Sequence, residues 1–259
     1  MDNPPPPILA VHNLTVRYNG SSALDDVTFT VDAGQRVAIA GPNGSGKSTL
    51  FKALSGLIRP ASGTIHIDAA AIGYVPQRSE VDWRFPVSVH DVVMMGRIAK
   101  IGWLRWQRPI DRDIVRRSLS QVGMDSLAGR QIGELSGGQQ QRVFIARALA
   151  QDARVLLMDE PFSGVDVPSQ EAILELMDRL HGQGVTVLVS THDLTLAVER
   201  FDRLALLNHK LVAYGSPRDV VNQVTLSAAF GGQALWRGED YAMVLGDIGC
   251  CGEGEHPHG

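Results

Sequence analysis

The chain has 259 residues, 44% of them hydrophobic and 20% charged, which fits an ordinary folded domain and excludes a disordered or fibrous polypeptide. Its 24 basic and 28 acidic side chains leave a formal net charge of -4, so composition supplies no general attraction for nucleic acid. The only two cysteines, Cys250 and Cys251, are adjacent near the end of the chain; they cannot staple distant parts of a fold, and a reducing cytosol suits them best.

Residues 1–7 are Pro-rich and predict an extended arm, and the start lacks the basic and apolar regions of a secretory leader. From 8 to 31, the runs Leu9-Ala10-Val11, Leu14-Thr15-Val16 and Val27-Thr28-Phe29 are interrupted by Tyr18-Asn19-Gly20-Ser21, a pattern of strands and turns in a small sheet. Residues 35–40 read as a buried strand and 41–46 as a Gly-rich turn, after which Leu50, Ala53, Leu54 and Leu57 recur at helical spacing. Between about 78 and 153 the composition changes: Trp83, Trp103 and Trp106 fall among Arg97, Lys100, Arg105, Arg108, Arg112, Arg116 and Arg117. Ile114, Val115, Leu119 and Val122 mark an amphipathic helix there, predicting a helical subdomain. Beyond it come a strand at 155–158, a helix face of Ile173, Leu176, Met177 and Leu180, and a strand at 185–189. Strands alternating with helices predict an α/β fold on a mainly parallel sheet. Residues 213–249 read as a strand pair with a short helix at about 217–221. The longest apolar strings, at 37–40 and 185–189, fall far short of the roughly 20 residues that span a bilayer, so a role at a membrane requires a partner.

Gly41-Pro42-Asn43-Gly44-Ser45-Gly46-Lys47-Ser48, followed by Thr49, matches G-x-x-x-x-G-K-[ST]. The glycines let backbone N–H groups curl around phosphate oxygens at a helix start, where the helix dipole favours anions. Lys47 is expected on the outer phosphates and Ser48 on a Mg2+ ion. A chance Gly-rich turn would lack the strand before and the helix after. The strand Val155-Leu156-Leu157-Met158 ends in Asp159 and Glu160, placing one carboxylate to hold Mg2+ and the next to orient or activate water; alone, such a strand end reads equally as a chain leaving the core. Leu135-Ser136-Gly137-Gly138-Gln139-Gln140-Gln141-Arg142 opens another helix with hydroxyl and backbone donors suited to a phosphate. The plainer alternative makes Ser136 a helix cap.

With these motifs in this order, the chain resembles ABC-type ATPases over about residues 8–230. The resemblance implies a P-loop NTPase fold of the ABC type: a mainly parallel sheet core, a small antiparallel β subdomain, a helical subdomain at about 78–153, and a C-terminal extension at 231–259. It implies ATP and Mg2+ as ligands, with Gly41 to Thr49, Ser136, Gly137, Gly138, Gln139 and Asp166 on the nucleotide, and Ser48, Gln77 and Asp159 on the metal. Tyr18 looks like the aromatic that stacks on adenine, Gln77 like the Q-loop glutamine that links Mg2+ to permease contacts, Gly164-Val165-Asp166 like the D-loop, and His192 like the switch histidine on the γ-phosphate. Glu160, His192 and Gln77 form the implied catalytic set. Each single residue also has a plainer reading: Tyr18 a turn aromatic, Gln77 a solvated side chain, Asp166 and His192 helix caps. In the family, Ser136 and Gly138 complete the site of a second subunit, which implies a homodimer closing on ATP. An integral membrane permease and, indirectly, an extracytoplasmic solute-binding protein are the further implied partners, with the chain peripheral on the cytoplasmic face of the cell membrane and no nucleic acid involved.

Val81-Asp82-Trp83-Arg84-Phe85-Pro86, with residues 91–97, resembles the manganese and zinc importer branch. Asp82 and Asp91 do not make a metal ligand set, so this stretch is expected to pack against a permease coupling helix. Importers of iron chelates or other small nutrients are the alternative, since their ATPases share the same motifs. ABC ATPases that act on nucleic acid or ribosomes usually carry two cassettes or long coiled coils, and this chain has one cassette without sustained heptads. Intact Glu160 and His192 oppose a catalytically dead module. In the tail, Cys250, Cys251, His256 and His258 are ligand types suited to Zn2+, weighed against a solvated Gly-rich tail.

Overall fold

The computed structural model describes residues 6–68, 72–102, 106–231, 234–237 and 242–245. Strand β1 (Leu9–Tyr18) returns as β2 (Ser21–Val31) through Asn19 and Gly20, both at positive φ (48° and 84°), the turn geometry that matches strand twist in a two-residue hairpin. After β3 (Arg36–Ala40), helix α1 (Lys47–Leu54) runs one turn shorter than its apolar spacing suggests. Gly56 turns left-handed at φ 75°, and the N–H groups of Gly56 and Leu57 bond back to Ala53 and Lys52, a Schellman stop. Leu57 therefore leaves the helix face and is 63% exposed. β4 (Ser62–Ile67) pairs antiparallel with β1, giving a three-stranded sheet in the order β2-β1-β4.

From β5 (Ile72–Val75) the chain enters the helical stretch of α2 (Val89–Met95), α3 (Ile98–Ile101), α4 (Pro109–Gln121) and α5 (Gly137–Leu149). Val115, Leu119 and Val122 are buried as their spacing predicts, whereas Trp106 is 93% exposed; Trp103 and Arg105 lie outside the described residues. Arg97 departs from the exposed basic run. Buried beside the equally buried Asp111, it donates through Nε and Nη2 to Asp111 Oδ1 (3.2 Å each) and through Nη1 to the Ala150 carbonyl (2.8 Å). It thereby stitches the first turn of α4 to the end of α5. Burial alone would raise the Asp111 carboxyl, but bonds from the Arg108 N–H and the Arg97 guanidinium outweigh it and hold the group below the ordinary carboxylate range.

The remaining elements are β6 (Val155–Asp159), α6 (Val167–Gly182), β7 (Thr186–Thr191), α7 (Leu194–Arg200), β8 (Arg203–Asn208), β9 (Lys210–Gly215), α8 (Pro217–Val220), α9 (Gln223–Phe230), and a hairpin of β10 (Ala234–Arg237) and β11 (Ala242–Leu245). Six strands form the main sheet in the order β5-β6-β7-β3-β8-β9, parallel except for β9. Its central strands β3, β6, β7 and β8 are buried on both faces, as parallel strands under helices are. Val37, Ile39, Val155, Leu157 and Leu188 face α1 and the small sheet; Ala38, Leu156, Met158, Val187 and Val189 face the helices, in one core with the apolar side of α5. Gly73 is what lets α5 lie close on β5, because a Cβ there would sit 2.6 Å from the Ala148 methyl.

Candidate functional site

Ligands of open α/β sheets gather beyond the carboxyl ends of the strands, and that edge carries most of the polar residues singled out above. Register pairs Ala40 with Thr191 and Asp159 with Ser190, so Gly41, Glu160 and His192 leave the sheet at one level. The loop after β3 needs glycine at both ends. A Cβ on Gly41 would fall 2.0 Å from the Leu207 carbonyl oxygen, and Gly46 stands at φ 100° against Leu24 and the Ala23 carbonyl. The first hydrogen bond into α1 runs from the Leu50 N–H to the Gly46 carbonyl (2.8 Å). The N–H groups of Lys47, Ser48 and Thr49 precede it at the helix start, where the dipole is positive.

Lys47 is buried, and its Nζ donates to the carbonyls of Gly41 (2.8 Å) and Pro42 (3.0 Å). Burial lowers its pKa, and the nearby Glu160 and Asp159 carboxylates oppose that shift. The Ser45 hydroxyl is buried without a partner among the described residues. At the end of β6, Asp159 is 0% exposed; its Oδ1 accepts a short hydrogen bond from the Ser190 hydroxyl, while its Oδ2 is buried without a partner among the described residues. Ser190 Oγ in turn accepts from the Glu160 N–H (2.8 Å), and Glu160 occupies the left-handed region at φ 43°, a conformation that costs a non-glycine residue energy and collects at functional sites. The Gln77 amide donates to Glu160 Oε2 at 3.1 Å. Together, Asn43 to Thr49, Gln77 and Glu160, with Ala23 and His209, line a pocket of about 460 Å³.

Sequence reasoning did not name Ser190, Ala23 or His209. His209 sits at φ 56° in the turn between β8 and β9; its N–H bonds the Ser45 carbonyl (2.8 Å) and its ring the Ala23 carbonyl (3.2 Å). Other expected residues stay outside the pocket. Tyr18, at the end of β1, is 46% exposed, and His192 is exposed on the loop after β7; neither lines the cavity.

Ser136, Gly137, Gly138 and Gln139 also stand apart from this pocket, at the start of α5. Ser136 caps that helix: its hydroxyl accepts from the Gln139 N–H (3.3 Å), and the Gln139 side chain accepts from the Ser136 N–H (3.0 Å), a reciprocal capping box. Asp166 caps α6 through the Ser169 N–H (3.2 Å), and the hydrogen bonds with Ser169 hold its carboxyl below the ordinary range. The two helix starts abut, because a Cβ on Gly138 would meet Ser169 Cβ at 2.3 Å. Thus the plainer cap reading of Ser136 and Asp166 holds locally: Ser136 is exposed, whereas Gly138 is buried against Ser169. Among the described residues there is no group of three or more His, Cys, Asp or Glu placed to hold a metal ion. Cys250, Cys251, His256 and His258 lie outside those residues. No described helix is long and apolar enough to cross a membrane.

Residues 24–163 match the ABC transporter family model. The chain is 45% identical over 247 residues to a manganese transport system ATP-binding protein of Halalkalibacterium halodurans, covering 92% of this chain and 98% of that protein. It is 44% identical to a zinc transport system ATP-binding protein of Treponema pallidum over 230 residues, 86% of each chain. It is 47% identical to a chelated iron transport system membrane protein of Yersinia pestis over 236 residues, 87% of this chain and 80% of that one. Among solved structures, a chain of a metal-chelate type ABC transporter in an inward-facing conformation superposes with a TM-score of 0.78 at 34% identity, covering 86% of this chain and 88% of that chain. A P-loop built on β3 and α1, a carboxylate pair closing β6 and the Ser-Gly-Gly start of α5 agree with these likenesses: the chain belongs to the ABC transporter family, as an ATP-hydrolysing transport subunit.

Proposed function

We propose that this chain energises the import of a divalent metal ion, manganese or zinc, by binding and hydrolysing ATP between two copies of itself beneath an integral membrane permease. The observation that carries the hydrolytic part is the meeting of a helix-start phosphate cradle with Glu160, whose carboxylate is held by Gln77 at 3.1 Å. In this reading the N–H groups of 43–49 cradle the phosphates and Lys47 exchanges its bonds to the Gly41 and Pro42 carbonyls for phosphate oxygens. Glu160 orients the attacking water. Mg2+ fits the residues present: Asp159 Oδ2 is a buried acceptor with no partner among the described residues, and Ser48 and Gln77 line the pocket beside Glu160, so hard oxygen ligands stand ready for a hard cation. When bound, that ion neutralises phosphate charge.

The start of α5 supports the dimer. Ser136 and Gly138 lie away from their own pocket, and Ser136 is exposed, so a second copy's nucleotide is the partner that would engage this turn, with Asp166 beside the shared contact. Tyr18 stacks on adenine and His192 reaches the γ-phosphate once the copies close. The permease docks on the helical stretch, where Asp91, Met94, Met95, Ile98 and Ile101 line an open groove of about 480 Å³ and Phe85 is exposed nearby in sequence. That partner places the chain on the cytoplasmic face of the cell membrane, with an extracytoplasmic solute-binding protein delivering the ion. The metal cargo is supported by the manganese and zinc relatives. An iron-chelate cargo is the second reading, supported by the 47% identical Yersinia pestis relative.

Glu160→Gln tests the hydrolytic part: ATP binding persists, the ATP-bound variant sediments as a dimer, and turnover with the permease present falls by about 10²-fold or more. Near-normal turnover would remove Glu160 from its role. Uptake of Mn2+, Zn2+ or a ferric chelate into vesicles carrying the reconstituted transporter decides the cargo.

A further inference from the structure

The segment that follows Gln77 is fastened to three parts of the molecule at once. Gln77 itself holds Glu160, and the short 3-10 turn Arg78–Glu80 comes next. Glu80 Oε1 accepts from Lys52 Nζ on α1 at 2.6 Å. Arg78 reaches the opposite way. Its Nε donates to Gln140 Oε1 at 3.1 Å, and the buried Gln140 is itself fixed by donating to the Ile132 carbonyl at 3.1 Å.

The guanidinium also reaches the glycine turn at 137 and approaches the one at 164. A Cβ on Gly137 would stand 3.2 Å from Arg78 Cζ and Nη1, a tight fit, and one on Gly164 would stand 3.8 Å from Nη1, an ordinary contact. Behind it, the Trp83 indole N–H donates to the Arg78 carbonyl at 2.9 Å, and the Trp83 ring packs edge-on to Phe144 of α5, with centroids 5.1 Å apart. One side chain, adjacent to the glutamine on the Glu160 carboxylate, therefore lies against the Gly137 turn and near the Gly164 turn, on the face that a second copy would meet.

We propose that Arg78 is a positioning residue that makes Gln77 and the turn at 136–138 move as one body, so that nucleotide in a chain's own pocket sets the placement of the turn it offers to the other copy. This rests on the dimer reading above. A planar fork suits the task, since it can bond Gln140 and still fill the space beside the Gly137 turn, whereas an ammonium can do only the first. The consequence is cooperativity: the two ATP sites communicate through Arg78, one residue in each copy.

The test uses the full chain in complex with its permease. In wild type, ATP hydrolysis should rise with a Hill coefficient approaching about two, the number of sites. Arg78→Ala should bring it to about one and lower kcat by roughly 10-fold, within the usual range of coupling between sites. Binding of a fluorescent ATP analogue to the separate purified chain should stay within about twofold of wild type, because Arg78 does not line the pocket. Arg78→Lys should fall between the two. Trp83→Phe, which keeps the ring on Phe144 but removes the N–H bonded to the Arg78 carbonyl, should shift the Hill coefficient in the same direction by less, and it carries the test should Arg78→Ala fail to fold. An unchanged Hill coefficient in both variants would overturn the proposal, as would a loss of analogue binding equal to the loss of kcat. These outcomes are separable from the reading of Glu160: near-normal turnover by Glu160→Gln sinks the hydrolytic assignment, whereas an inactive Glu160→Gln beside a fully cooperative Arg78→Ala sinks Arg78 alone.

Discussion

The pocket at the ends of β3 and β6 and the turn at 136–139 both sit at glycine-bearing helix starts, yet they are built in opposite ways. In the pocket the functional side chains are sunk and already engaged: Lys47 on the Gly41 and Pro42 carbonyls, Glu160 on Gln77. At the start of α5, Ser136 is exposed and its hydroxyl serves its own helix as a cap. The first is an open pocket lined by one chain's own residues, and the second, in the dimer reading, a surface that needs another molecule to become a site. Changes in the pocket should therefore act on the single chain, and changes at the helix start only on the assembly.

The largest effect separates chemistry from binding within the pocket. Glu160→Gln should reduce turnover by about 10²-fold or more while calorimetry shows ATP still bound. Next, Lys47→Ala should weaken ATP binding by roughly 10- to 100-fold, the worth of one hydrogen bond to a charged group, and equilibrium titration of the separate chain reads it directly. An affinity within twofold of wild type would break the claim that the pocket is complete in one chain.

On the other side, Gly138→Ala drives a methyl to 2.3 Å from Ser169 Cβ and should cost about 1–3 kcal/mol of stability through overpacking. Turnover by the complex should fall while nucleotide binding by the separate chain is kept. The smallest and sharpest change is at Ser136. Ser136→Ala removes the cap and should cost about 1 kcal/mol, a drop of roughly 2–4 °C in Tm for a chain of this size. Ser136→Asp keeps an equally good cap and should restore Tm, but it sets a carboxylate where a phosphate must come, so turnover should be lost. If Ser136→Asp turned over normally, the cap alone would account for the serine.

Much of the pocket was legible in the sequence because phosphate binding needs particular backbone shapes. Gly41 lies too near the Leu207 carbonyl for any side chain and Gly46 stands at φ 100°, so the glycines appear as letters. Ser190 and His209 carry no such mark. Each acts through a contact between segments far apart in the chain, Ser190 across β6 and β7 and His209 on the Ser45 carbonyl. In the sequence Arg97 is one member of a basic cluster, and only its pairing with Asp111 and Ala150 shows it to be interior. Helix α9 was missed beyond the short helix at 217–220. It buries Leu226, Ala229 and Phe230, but exposed Val224 and Ala228 blur that face in QVTLSAAF, so the sequence lacks the clear one-sided pattern that marked the helix faces elsewhere.

The place of β3 in the main sheet bears on how the molecule is made. Its two neighbours are β7 and β8, the floor beneath Gly41 is the carbonyl of Leu207, and the Ser45 carbonyl is tied to the N–H of His209. The phosphate loop is written early in the chain, yet the strands and the turn that shape it are written near the end. A nascent chain on the ribosome thus carries the nucleotide-binding letters through most of its synthesis without the ability to bind. Contacts between distant segments are also the slow ones to form, so the capacity to bind ATP arrives late and together with the finished sheet, and unfinished chains do not sequester nucleotide.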